Sequence, residues 1–163
     1  MNAGKEKQKI TVLIANNCKN LKVPAAGFKE LIKIICSRFK ISKATVSVSI
    51  VDDVQIRKIN RRFLGHRGTT DCISFDSSDS SKVSPMKVFD MVVNGEMAIR
   101  QARQRGHSCE AELALYITHG LLHNAGFNDS RPKDAQKMHK IEDEILQQFG
   151  YGSVYNKRVG YKK

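Results

Sequence analysis

The stretch His119-Gly-Leu-Leu-His123-Asn-Ala-Gly126-Phe-Asn-Asp129 carries two histidines four residues apart. That spacing places both imidazoles on one face of a helix, close enough to share an ion. Gly126, three residues after the second histidine, can end the helix in the left-handed region open to glycine. The chain then doubles back, and Asp129 can reach the open side of the ion. Two imidazoles and a carboxylate, with a fourth position left for water, describe a catalytic rather than a structural zinc site.

The spacing is that of the metzincin pattern H-E-x-x-H-x-x-G-x-x-H, with two letters changed. Gly120 stands where a zinc protease has its general-base Glu, and Asp129 stands where it has a third His. The metal geometry survives, but the residue that activates water for peptide hydrolysis does not. His139, farther along the last helix, is a competing third ligand but reads as a solvated side chain. Asn128 is a weaker ligand than its neighbour because it brings no charge to a cation. His66 and His107 fall in polar loops, where a solvated ring is the ordinary reading.

The chain has 163 residues, enough for one domain with its own core. No apolar run approaches the roughly 20 residues of a membrane span. The charged opening MNAGKEKQKI is unlike a signal peptide. The expectation is a soluble cytoplasmic protein with no membrane partner. Cys18, Cys36, Cys72 and Cys109 are scattered without a C-x-x-C pair and read as reduced packing thiols. The formal net charge of +12 points to a polyanionic partner, nucleic acid first. The absence of Trp and of a dense aromatic stripe argues against a base-stacking platform.

Outward from the central stretch, Lys9 to Ala15 reads as a first strand and Thr45 to Val51 as a second. Between them Pro24 opens a helix that carries Phe28, Leu31, Ile32 and Ile35 and ends near Phe39. Asp52 and Asp53 can cap a helix with Val54, Ile56, Ile59 and Phe63 as its apolar stripe. The loop from Thr69 runs into a third strand ending near Asp76, and Ser77 to Pro85 is a serine-rich loop. Val88 to Val93, with Gly95 to Ile99, predicts one broken strand or two short ones, and Arg100 to Gly106 predicts a helix. Ser108 caps the histidine helix, with Glu110 and Glu112 in its first turn. Pro132 starts a last helix with Ala135, Met138, Ile145 and Phe149 as its apolar stripe. The expected fold is α+β, with about four strands in a mixed sheet and about five helices. Residues 1–150 form one hydrolase domain, and 151–163 form a basic flexible tail.

HGLLHNAGFND resembles the HGxLHLxGYDH signature of the YbeY family, bacterial metal-dependent endoribonucleases that mature ribosomal RNA. Asn60-Arg-Arg-Phe63-Leu64-Gly65, followed by Thr70-Asp71-Cys-Ile-Ser74-Phe75, is similar to the family's N-x-x-Y/F-R-G and T-D-V-L-S-F. Gly95-Glu96-Met97 is similar to its G-D/E-I step. In two places the chain departs from the pattern: Asp129 replaces the usual third His, and Leu64 replaces an arginine. The resemblance implies one zinc ion per chain on His119, His123 and Asp129, cleaving single-stranded RNA. It places the chain in maturation of small-subunit ribosomal RNA at its 3′ end and in ribosome assembly. The small subunit, ribosomal proteins or an assembly GTPase are the implied partners. Arg67 is the catalytic cation candidate, and Arg57, Arg61, Arg62, Arg67, Asp71 and Ser74 are candidates for holding RNA. The rival readings are a non-catalytic assembly factor with structural zinc and, against Gly120 and the basic charge, a zinc peptidase.

Overall fold

A computed structural model describes residues 7–83 and 86–154. In chain order the elements are β1 (Lys9–Asn16), α1 (Ala25–Arg38), β2 (Lys43–Val51), α2 (Asp53–Leu64), β3 (Cys72–Asp76), β4 (Lys87–Asn94), α3 (Gly95–Arg105), α4 (Cys109–Asn124) and α5 (Pro132–Gln148). The strands form a mixed sheet in the order β1-β2-β4-β3, with β3 alone antiparallel to its neighbour. The α+β architecture expected from the sequence is the one observed. Parallel neighbours need crossover connections; α1 supplies the first, and α2 with the edge strand β3 supplies the second. Among the described residues no helix is long and apolar enough to cross a membrane.

Alternation along the strands sorts side chains onto two faces. Val46, Val48 and Ile50 of β2 and Phe89, Met91 and Val93 of β4 are buried in the main core with α1 and α4. The opposite face is a smaller cluster of Val51, Ile56 and Ile73, with Ile59, Phe75 and Val92 packed against it. Thus α2 covers one side of the β3–β4 end of the sheet and α4 covers the other.

The expected strand from Gly95 to Ile99 is instead the first half of α3. Its cause is Asn94, whose side chain accepts a hydrogen bond from the Met97 N–H at 3.0 Å and starts a helix that runs on to Arg105. The apolar run stops at the cap. The stripe expected on α2 also changes: Val54 is 55% exposed and Phe63 is 60% exposed, while Ile56 and Asn60 are buried. Phe63 meets Phe75 edge-on at 5.6 Å. Of the expected tail, Tyr151 stacks on Phe149 and donates to Glu110 at 2.6 Å, and Val154 is buried. Residues 155–163 of that tail, residues 1–6 of the charged opening and residues 84–85 of the serine-rich loop lie outside the described residues. Cys18 and Cys36 are buried, and Cys72 and Cys109 half-buried; all four are free thiols. Burial pushes Cys36 and Cys109 up to about 11, which suits packing rather than reactivity.

Two local constraints hold the elements around α4 in place. The Asn94 amide lies within 2.8–3.1 Å of Asp53 Oδ1, Thr69 Oγ1 and the Thr70 carbonyl, tying the start of α2 to the loop before β3. Arg100 grips Asp53 with two hydrogen bonds at 2.6 and 3.0 Å. The second constraint is Gly120, on the side of α4 that meets the sheet. A β-carbon there would lie 2.8 Å from the Cys72 sulfur and 3.2 Å from the Met91 sulfur. Gly120 is therefore a contact glycine, and the glutamate of the protease pattern has no room at this position.

Hydrogen bonds from Arg100 hold the Asp53 carboxyl far below the usual carboxylate range, with help from Asn94 and Thr69 and against the opposing pull of burial. A depressed folded-state pKa stabilises fully above the unfolded value of about 3.9 and loses its contribution as pH falls toward the folded value. Stability should therefore drop below about pH 4, and Asp53→Asn should flatten that slope; urea midpoints across pH 2–5 that run parallel in the two proteins would contradict this. For Gly120→Ala, overpacking of about 1–3 kcal/mol opposes a helix-propensity gain of about 1 kcal/mol. Net destabilisation is expected in urea unfolding, with partial recovery when Cys72→Ala is added. A stabilised Gly120→Ala would refute the close approach of α4 to the sheet.

Candidate metal centre

The histidine helix α4 begins where Ser108 accepts from the Ala111 N–H at 3.1 Å, as its position before Glu110 and Glu112 suggested. It is buried along most of its length from Ala111 to Leu122. Its other end closes with two paired bonds, Phe127 N–H to the Leu122 carbonyl and Gly126 N–H to the His123 carbonyl. Gly126 has φ +97°, the conformation that lets the chain reverse there. That reversal carries Asp129 back over the histidines.

The three side chains converge. His119 Nε2 lies 3.1 Å from His123 Nε2, and Asp129 Oδ2 lies 3.6 and 3.7 Å from the two nitrogens. Donors held about 2.0–2.2 Å from one ion at tetrahedral angles sit about 3.3–3.6 Å apart. The opposite ring nitrogens fix the tautomers: His119 Nδ1 donates to Glu142 Oε1 at 2.6 Å, and His123 Nδ1 donates to the Phe127 carbonyl at 3.2 Å. Both Nε2 lone pairs then face each other and a carboxylate, an arrangement that repels unless a cation or a proton sits among them. The donor set therefore fits a metal ion, and a borderline-soft one such as zinc suits imidazole with carboxylate. Burial pulls the His119 pKa down, but the hydrogen bond and charge of Glu142, with Asp71 and Asp129 adding, leave it raised.

Glu142 is the residue the sequence reading missed. It is 1% exposed, and its second oxygen accepts from His139 Nδ1 at 2.9 Å. The signal was present: Met138, Glu142, Ile145 and Phe149 share one helical stripe, and an acid within an apolar stripe needs partners. His139 corrects the expectation of a solvated ring, because the stripe turns it toward α4, where it is only partly exposed and lines the site. His107 is likewise buried rather than solvated. It contacts Glu112, which also takes Arg105 Nη1 at 2.6 Å.

A cavity of about 430 Å³ opens over the cluster, with Thr70, Asp71, Ser74, Arg105 and Tyr116 in its walls. Asp71 is both a strand-entry cap and a wall of the site: its Oδ1 accepts from the Cys72 N–H at 2.7 Å at the start of β3, and it lines the cavity. Ser74 is brought there as well. The basic candidates are not. Arg57, Arg61 and Arg67 line a separate groove along α2, and Arg62 lies over the Phe63 ring at 5.4 Å. The arginine that does reach the cavity is Arg105, from the end of α3.

Comparison with known proteins bears on the family and the fold. The sequence profile of the family described as "Endoribonuclease YbeY" matches residues 13–150. A curated protein of that name from Myxococcus xanthus is 36% identical over 115 residues, 69% of this chain but only 39% of the relative, so the chain spans well under half of that protein. The namesake from Frankia alni is 31% identical over 147 residues, covering 84% of this chain and 81% of the relative. The solution structure of TM1509 from Thermotoga maritima superposes with a TM-score of 0.61 at 22% identity, covering 85% of this chain and 89% of the other, a likeness of fold. With the profile spanning nearly every element and the histidine helix inside it, the chain belongs to the YbeY family.

Proposed function

We propose that this chain is a metal-dependent endoribonuclease that cleaves single-stranded RNA during maturation of ribosomal RNA. The observation that carries the reading is the three-donor cluster His119, His123 and Asp129, with both histidine tautomers set by hydrogen bonds and a cavity above. Family membership supports the substrate class, and the net charge of +12 suits a polyanion. The cellular setting we assign is the cytoplasm, on the small ribosomal subunit and its RNA 3′ end, with ribosomal proteins or an assembly GTPase nearby. Residues 1–150 act as the single hydrolase unit and 151–163 as its basic extension.

His119, His123 and Asp129 would hold one zinc ion. Held there, the ion would supply Lewis acidity and would lower the pKa of a water toward neutrality. Glu142 orients the His119 ring and raises its basicity as a ligand. Asp71 and Ser74 position the substrate from the β3 wall. Arg105, held by Glu112, takes the role expected of Arg67: a fixed cation in the cavity that stabilises charge developing on phosphate oxygens. With Gly120 in contact with the sheet, no carboxylate stands at the position from which a zinc protease activates water.

Elemental analysis of the native protein should give one zinc per chain, absent from Asp129→Ala. Glu142→Gln should lose about 10–100-fold in metal affinity by chelator competition. A metal content unchanged in Asp129→Ala would remove that residue from the ligand set. Single-stranded RNA should be cleaved by wild type, and cleavage should stop with chelator and in His123→Ala that still folds and binds RNA. Wild-type cleavage no faster than that of His123→Ala would favour an assembly factor with a structural ion, and chelator-sensitive casein cleavage would favour a peptidase.

A further inference from the structure

The exposed side of α2 has no part in the cluster or its cavity. Val54, Arg57, Lys58 and Arg61 follow one another at i, i+3, i+4 and i+7, so they form a single stripe along the helix. Arg67, in the segment that leaves the helix after Gly65, joins them in one groove of about 430 Å³. All four cations are exposed, and among the described residues none of the four is paired with a carboxylate. Like charges at i and i+4 destabilise a helix. The helix dipole favours Arg61 and Arg62 in the last turn, but it does nothing for Arg57, Lys58 or Arg67. A groove of unneutralised cations at that cost calls for a polyanion.

Its place in the fold separates it from the chemistry. Cys72 and Ser74 of β3 face α4 at Gly120, whereas Ile73 and Phe75 face α2. The sheet therefore lies between the groove and the metal cluster, and β3 is the sheet's edge. A flexible strand whose phosphodiester occupies the cavity can pass over that edge and lay its next phosphates along α2. A folded duplex has no comparable freedom to turn.

We propose that the α2 groove is an exosite for the backbone of single-stranded RNA, binding phosphates through Arg57, Lys58, Arg61 and Arg67 on the face of the sheet opposite the cleavage site. It adds affinity for long RNA and takes no part in the chemical step; the proposal rests on the RNA reading above but not on cleavage. No aromatic platform is needed, because phosphate contacts alone give sequence-independent binding.

The test is Arg57→Gln/Lys58→Gln against Lys22→Gln/Lys29→Gln, a pair that removes two exposed charges elsewhere. Binding of a fluorescein-labelled 20-nucleotide single-stranded RNA is followed by anisotropy across salt concentrations, in a His123→Ala background so that the probe survives. The groove pair should weaken binding about tenfold and lower the salt slope by about 1.4, at about 0.7 for each phosphate no longer neutralised. The control pair should leave the slope near the parent's. In proteins that keep His123, the groove pair should raise KM for the same RNA and leave kcat unchanged. An unchanged slope, an equal drop in the control pair, or a fall in kcat with KM constant would overturn the exosite. RNA binding with a groove-dependent slope but no cleavage would remove the nuclease reading and leave the exosite standing.

Discussion

Helix α4 lies against the sheet at Gly120 with no space for a side chain between them, and this contact organises the molecule. With α4 held at that distance, β3 and β4 form one wall beside it and Asp71 and Ser74 stand across from His119 and His123. The same contact explains why a helix with metzincin histidine spacing lacks the metzincin glutamate. A longer side chain at 120 would push α4 off the sheet and open the core of Leu113, Ile117 and Leu121 beneath it. The choice of glycine is made by packing first, and its chemical consequence comes after.

Along α4, Glu112, Tyr116, His119 and His123 recur at i, i+4, i+7 and i+11, a polar stripe on a helix otherwise buried among apolar groups. Buried charge is tolerated only with partners. Glu112 has Arg105 and His107. His119 has Glu142, itself bridged to His139. Removing one partner of such a pair costs about 3–5 kcal/mol because the other charge stays buried. These two carboxylates fix α3 and α5 against α4 as well as serving the site, so the orientation of the ligands and the packing of three helices are one problem.

Much of this was legible because it depends on local spacing. The i and i+4 histidines, the Gly126 reversal, the Ser108 cap and the alternation of β2 are each decided within a few residues. What was not legible depended on competition or on distance. The apolar letters of 95–99 suit a strand, but Asn94 offers a helix cap one residue earlier and the cap prevails. Val54 and Phe63 have the spacing of a buried stripe, yet the patch of sheet under α2 is small and Ile56 with Ile59 fills it. Glu142 and Arg105 meet the site across 23 and 14 residues of chain from His119, so only the packing of α5 and α3 on α4 reveals them. Arg67 follows a glycine turn near the site in sequence, but the sheet separates it from the cavity.

With an ion held by His119, His123 and Asp129, the carboxylate at 129 would change the charge of the centre. Two neutral imidazoles leave a divalent ion with its full charge. Asp129 would remove one unit, and Glu142, hydrogen-bonded to His119, would offset a second at close range. An ion so nearly neutralised would attract a phosphodiester weakly. If the ligand is RNA, as proposed, its attraction would come from fixed cations outside the donor set. Arg105 lines the cavity, but Glu112 takes its Nη1 at 2.6 Å and offsets its charge. The α2 groove holds four cations that solvent keeps charged without desolvation cost. In the proposed reading, holding the strand and reacting with it would fall on opposite faces of one sheet, joined over the β3 edge.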